Sequence, residues 1–167
     1  MSVFETLNKI NVNDHTEKKN GLTYLSWAWA WAEVKKAYPD ACYTVYENAD
    51  GWNYFTDGRT CWVKTGVTID SLEHIEYLPV MDNRNKSIPA DAVTSFDVNK
   101  AIQRSLTKAC ARHGLGLYIY AGEDLPEEPP QLCVVCGAEV DAKTANGIKK
   151  KYGNVFCSKE CMERGNS

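Results

Sequence analysis

Apolar residues at Trp27, Trp31, Val34 and Tyr38 recur at i, i+4, i+7 and i+11, the spacing of one helix face. Ser26 ahead of them suits an N-cap and Pro39 behind them a stop, so a helix is predicted between the two. Trp29 falls on another face of it. The pattern then turns β-rich at Cys42–Glu47, Trp52–Thr56, Arg59–Ile69 and His74–Met81, with Asp57-Gly58 as a hairpin turn. Helical spacing returns past Pro89. Thr94 and Asp97 stand at capping-box distance, Val98, Ile102, Leu106, Ala109 and His113 form an apolar row, and Gly114 closes the helix. Leu115 to Tyr120 resumes an extended apolar pattern. The expected fold class is α+β: an antiparallel β-meander packed on a long helix, with a small C-terminal four-cysteine zinc knuckle.

The segment from Ala121 to Leu132 breaks this order, because four acids and three prolines give it little to pack. The sequence therefore divides into a main domain at 1–122, an acidic proline-rich linker at 123–132 and a tail at 133–167. The tail holds roughly 35 residues, too few for a hydrophobic core to suffice without metal or disulfides.

Composition narrows the class. At 167 residues, 44% hydrophobic and 25% charged, the chain is an ordinary globular domain with an appendage. Neither a long apolar run nor a basic-then-apolar start is present, which points to a soluble intracellular protein and away from membranes. The net charge of −3 provides no global basic field, so any polyanion must be met by local clustering. Five Trp, nine Tyr and four Phe supply core anchors or stacking surfaces; Trp29, Trp52 and Trp62 are candidates to stack on bases.

Seven cysteines without a secretory leader argue against a disulfide framework. Cys42, Cys61 and Cys110 are scattered, whereas Cys133, Cys136, Cys157 and Cys161 crowd the tail, with twenty residues between the two close pairs. Four thiolates so spaced can converge on one tetrahedral Zn²⁺. With no open position left for water, the site would be structural rather than catalytic. Lys149, Lys150 and Lys151, with Lys143, Lys159 and Arg164 nearby, leave open whether the knuckle touches nucleic acid or only solvent.

Lys100, Arg104, Lys108 and Arg112 stand at strict four-residue spacing on the second predicted helix. Each step of four turns about 400° and climbs about 6 Å, so the cations form a slowly drifting stripe. From Asp97 to Arg112 the only acid is Asp97 itself, at the helix start, so no cation has an acidic partner four residues away. Arg84 and Lys86 in the preceding loop add two more. A stripe of this kind can grip phosphates, giving affinity without reading bases.

Two blocks carry a resemblance: Leu22-Thr-Tyr-Leu-Ser-Trp-Ala-Trp-Ala-Trp31, and Val98-Asn-Lys-Ala-Ile-Gln-Arg-Ser-Leu-Thr-Lys-Ala-Cys-Ala-Arg-His-Gly-Leu-Gly-Leu-Tyr-Ile-Tyr120. Over about Leu22 to Tyr120 the chain resembles phage single-strand annealing proteins of the Sak group, which look like distant relatives of the eukaryotic ring-forming annealing protein of homologous recombination. The resemblance implies a three- or four-stranded meander on a long helix, and protomers joined into a ring or filament. It implies single-stranded DNA in a positive groove and work in the bacterial host cytoplasm, with a host or phage single-strand-binding protein as candidate partner. By position it assigns Lys100, Arg104, Lys108 and Arg112, with Arg84 and Lys86 from the loop, to DNA binding. The tail knuckle lies outside the resemblance.

Two other classes compete. A zinc-finger adaptor would turn the basic stripe toward an acidic protein partner. His74-Ile-Glu76 followed by Cys133-Val-Val-Cys136 is formally similar to a zinc-dependent nucleobase deaminase signature, but Cys157 and Cys161 would close the position its water needs. His113, alone at a helix end, reads as packing or capping. No catalytic grouping stands out, and a non-enzymatic annealing protein is the expectation.

Overall fold

The structure is a computed structural model that describes residues 1–19, 21–121 and 130–165. The chain separates into two compact units, Met1–Glu123 and Asp124–Ser167. Residues 122–129, which take in most of the linker expected at 123–132, lie outside the described residues, as does the side chain of Lys143.

The first unit opens with α1 (Val3–Asn8), capped by a Ser2–Glu5 capping box. A 3₁₀ turn at Asn13–His15 leads into an antiparallel hairpin of β1 (Thr16–Lys19) and β2 (Leu22–Leu25). Ser26 then caps α2 (Trp27–Ala37) by accepting from the Trp29 N–H. Lys35 ties off its far end by donating to the carbonyls of Pro39 and Ala41. The helix boundaries are those predicted. Its buried face runs through Ala30 and Val34, while Trp27 is half exposed.

The sheet follows: β3 (Cys42–Val45), β4 (Phe55–Thr56), β5 (Cys61–Ile69) and β6 (Leu72–Pro79), all antiparallel. The long central strand β5 pairs with β6 along nearly its whole length. Its other edge is shared in succession by β3, opposite Thr65–Thr68, and β4, opposite Cys61–Trp62. Four predicted runs thus make a sheet three strands wide. The Asp57-Gly58 turn extends to Thr60, and its Asp57 carboxylate accepts from the N–H groups of Arg59 and Thr60.

Thr94 and Asp97 form the predicted capping box of α3 (Ser95–Arg112), with His113 at its C-cap. Gly114 takes a φ of +115°, and a Cβ there would lie 2.7 Å from the Phe4 carbonyl oxygen, so glycine both ends α3 and admits α1. Leu117–Tyr120, expected to be extended, is a 3₁₀ turn entered through Gly116 at φ +64°. The apolar residues there follow a sharp reversal that keeps Leu115 buried and leaves Leu117 and Tyr118 exposed.

α3 lies against the inner face of the sheet. On one side its Ala109 and Cys110 join Leu7, Val34, Val67 and Ile69; on the other its Val98, Ala101 and Ile102 join Cys61, Val63 and Leu78. Leu106 packs on both clusters. Each valine, leucine or isoleucine so buried stabilises the fold by about 1.5–3 kcal/mol. Between the clusters sits a polar pair, the hydroxyls of Thr65 and Ser105, fully buried and 2.7 Å apart. Mutual hydrogen bonding removes the cost an unpaired buried hydroxyl would carry.

The second unit is a small hairpin with two helices: β7 (Gln131–Leu132) paired with β8 (Glu139–Val140), then α4 (Ala142–Tyr152) and α5 (Lys159–Gly165). Asp141 caps α4, and Gly153 at φ +82° ends it. Its apolar interior is slight. Phe156 packs with Cys133 and Cys161, and Val155 with Val140 and Ala145.

Candidate nucleic-acid interface and metal centre

Lys100, Arg104 and Lys108 are half-buried along one side of α3, and each lies over an aromatic ring: Phe96 at 5.7 Å, Tyr24 at 4.8 Å and Tyr120 at 5.3 Å from the ring centroid. The rings support the long side chains of these cations. Arg112 is placed differently. It is ion-paired with Glu76 of β6, and this carboxylate raises the guanidinium's already high pKa. The stripe read from the helix alone is thus three cations over rings and a fourth held by the sheet.

Arg84 and Lys86 sit on the turn after β6. The Asp82 carboxylate accepts from both of their backbone N–H groups, and these bonds hold its pKa below the usual aspartate value. Asn85 of the same turn accepts a hydrogen bond of 3.0 Å from the Tyr24 hydroxyl. Tyr24 therefore links three things: the N-terminal hairpin, the turn bearing Arg84 and Lys86, and the Arg104 guanidinium.

Between this hairpin and α3 runs a groove of about 150 Å³, lined by Leu22–Trp27 on one wall and Gln103, Arg104, Thr107 and Lys108 on the other, with Tyr120 at one end. Lys18 and Lys19 are exposed on β1, where Lys19 stands opposite Leu22 of the groove wall. Cations backed by aromatics along a groove can bind a phosphate chain and leave ring faces for bases. Sequence reasoning did not pick out Tyr24, Trp27, Gln103, Tyr120 or the two lysines of β1. Of these, Tyr24 and Trp27 lie within the first block of resemblance, and Gln103 and Tyr120 within the second.

The proposed stackers divide. Trp29 is covered by His15, the rings stacked 4.1 Å apart. Trp62 stacks on Phe55 across the outer face of the sheet, and Trp52 is exposed beside Tyr54.

In the second unit, the Sγ atoms of Cys133, Cys136, Cys157 and Cys161 all lie within 4.8 Å of one another. Tetrahedral Zn²⁺ with bonds near 2.3 Å needs its sulfurs about 3.8 Å apart, and the separations of 3.3 Å from Cys136 to Cys157 and 3.6 Å from Cys157 to Cys161 fit that demand. The turn after Cys133 aims backbone donors at its sulfur. The N–H of Cys136 contributes most, lowering this thiol to about 6, while hydrogen bonds with Cys136 and Cys161 push Cys157 up to about 12. Four thiols drawn together without a disulfide can hold a metal ion. His74 of the deaminase-like pattern is instead packed edge-on to His113, ring centroids 4.3 Å apart, within the first unit.

Comparison with known families decides the class. The sequence profile of the Sak Single Strand Annealing Protein family matches residues 2–151. The chain belongs to that family. Membership supports a role in annealing single-stranded DNA during recombination. The match takes in the hairpin, the sheet, α3 and the first cysteine pair; Cys157 and Cys161 lie beyond it. No curated protein and no solved structure matches the chain. Among the described residues, no helix is long and apolar enough to cross a membrane.

Proposed function

We propose that this member of the Sak family binds single-stranded DNA by its phosphate backbone in the groove between α3 and the N-terminal hairpin, and presents the strand for pairing in phage recombination. The observation that carries this reading is that Arg104 and Lys108 line that groove, with Lys100 one turn before them on α3 and the Arg84 and Lys86 turn tied to the hairpin wall through Tyr24. Arg112 contributes less, because a phosphate there competes with Glu76.

Complementary strands repel through their phosphates. A surface that neutralises one backbone lowers this barrier, while base pairing supplies both the free energy and the choice of partner. Such a role needs no catalytic group, and we read the protein as a non-enzyme. About four phosphate contacts per protomer give a salt slope near −3, and so few contacts hold DNA only weakly at physiological salt. Assembly multiplies the contacts. The edges of β3 and β6 that face away from β5 have no partner strand among the described residues, which favours growth of the sheet from copy to copy.

The four tail cysteines hold a structural Zn²⁺ in this reading, and the exposed Lys149, Lys150 and Lys151 on α4 offer a surface to an acidic partner or a second stretch of nucleic acid. Changing Lys100, Arg104 and Lys108 together to Ala tests the groove. Oligonucleotide binding is expected to fall while fold and particle size persist; unchanged affinity overturns the assignment. Weak, salt-insensitive oligonucleotide binding by the unaltered protein would favour the adaptor instead.

A further inference from the structure

We propose that the cleft next to the phosphate groove accepts a nucleobase of the bound strand, an inference that rests on the groove reading above. This second cleft, about 440 Å³, lies between α2, α3 and the β3 edge. It shares Trp27, Gln103 and Thr107 with the groove, so a strand laid along Arg104 and Lys108 runs past its mouth.

Its chemistry differs from the groove's. Trp27, Trp31 and Tyr43 form aromatic walls, and Trp27 and Tyr43 remain 51% and 52% exposed. Trp31 meets Tyr43 edge to face at 5.3 Å, so the two rings make one aromatic wall. Ile102, Leu106 and Cys110 supply apolar lining, and three amides, Asn53, Asn99 and Gln103, stand among them. Among the described residues no cation lines the cleft and Glu47 is its one acid, so it repels phosphate. Amides carry both donors and acceptors, as base edges do, and the aromatic walls suit any base face. The volume is within the roughly 300–1,000 Å³ of small-ligand clefts.

A base seated there has left the stack, and a base already paired would have to unpair to enter. The cleft therefore favours single strands over duplex. It also ties release to success, because pairing withdraws the base from the cleft and removes one anchor of the strand.

The test compares a twenty-nucleotide thymidine strand with an abasic strand of equal length and charge, by fluorescence anisotropy on the full-length protein. The unaltered protein is expected to prefer the base-bearing strand by about tenfold or more. Tyr43→Ala, and separately Asn99→Ala, both of which line the cleft and not the groove, should shrink that preference severalfold while affinity for the abasic strand is kept. Circular dichroism and melting of each variant confirm the fold. A preference that survives both substitutions overturns the cleft, as does an equal loss for both strands. A change in sedimentation with the preference intact would assign the cleft to a second copy of the chain and also overturn the proposal. The Lys100, Arg104 and Lys108 variant separates the two readings: if it loses both strands while the cleft variants keep the preference, only the cleft fails.

Discussion

The Arg104 guanidinium lies 4.8 Å from the ring centroid of Tyr24, whose hydroxyl reaches across to Asn85. One tyrosine thus steadies a cation from above and a basic turn from the side. Tyr24→Phe keeps the ring and loses the bond to Asn85, whereas Tyr24→Ala loses both. Oligonucleotide affinity is expected to drop slightly in the first and about fivefold to tenfold in the second, measured by anisotropy at fixed salt.

The salt dependence of binding separates the cations. Each phosphate contact on a single strand contributes about −0.7 to the slope of log K against log salt. Replacing Lys100, Arg104 and Lys108 should flatten that slope by about 2, while Arg112→Ala, which frees Glu76 as it removes a charge, should change it by much less. Titrations at several salt concentrations distinguish these outcomes.

Chelation is expected to unfold the second unit and spare the first. The second unit buries few apolar residues, whereas the first is built on two clusters around α3. Metal supplies most of what orders a segment so small. Cys157→Ser should yield protein with less bound zinc and a protease-sensitive tail, yet with an unchanged main thermal transition; limited proteolysis and metal analysis provide the check.

His113 makes the main unit sensitive to mild acid. It is almost fully buried, its Nε2 lies 2.8 Å from the Val67 carbonyl oxygen, and burial lowers its pKa below the ordinary 6.5, with the nearby His74 acting in the same direction. A depressed histidine binds its proton more readily in the unfolded chain. Its contribution to stability is complete above pH 6.5 and is lost as pH falls toward and through the folded value. Asp57, Asp82 and Asp97, also lowered, act only below the ordinary aspartate value near 3.8. Melting temperature should therefore begin to fall just under pH 6.5, and His113→Gln should flatten that part of the profile even if it lowers overall stability.

Gly114→Ala should cost about 2 kcal/mol or more, since the new methyl meets the Phe4 carbonyl and φ is +115°. Urea unfolding measures it.

Much of this was legible because the local rules agree. α3 announces itself through Thr94, Asp97, its apolar row and Gly114, and the four tail thiols through spacing alone. The β1–β2 hairpin was missed because Thr16-Glu-Lys-Lys19 has little apolar alternation, although Asn20-Gly21 between the strands is a strong turn signal. Leu117–Tyr120 misled because an apolar run does not reveal its own backbone angle; Gly116 sets that. The pairing of Arg112 with Glu76 could not be read from a helix wheel, since the carboxylate arrives from a strand 36 positions earlier.

Cys42 faces solvent on β3, next in sequence to Tyr43 of the cleft wall, while Cys61 and Cys110 are enclosed and burial pushes the Cys110 thiol up to about 12. With the four tail sulfurs occupied by metal, a maleimide dye would find a single reactive position, on the sheet face opposite the cleft. The native chain thus takes a dye without any engineered position and without obstructing the cleft.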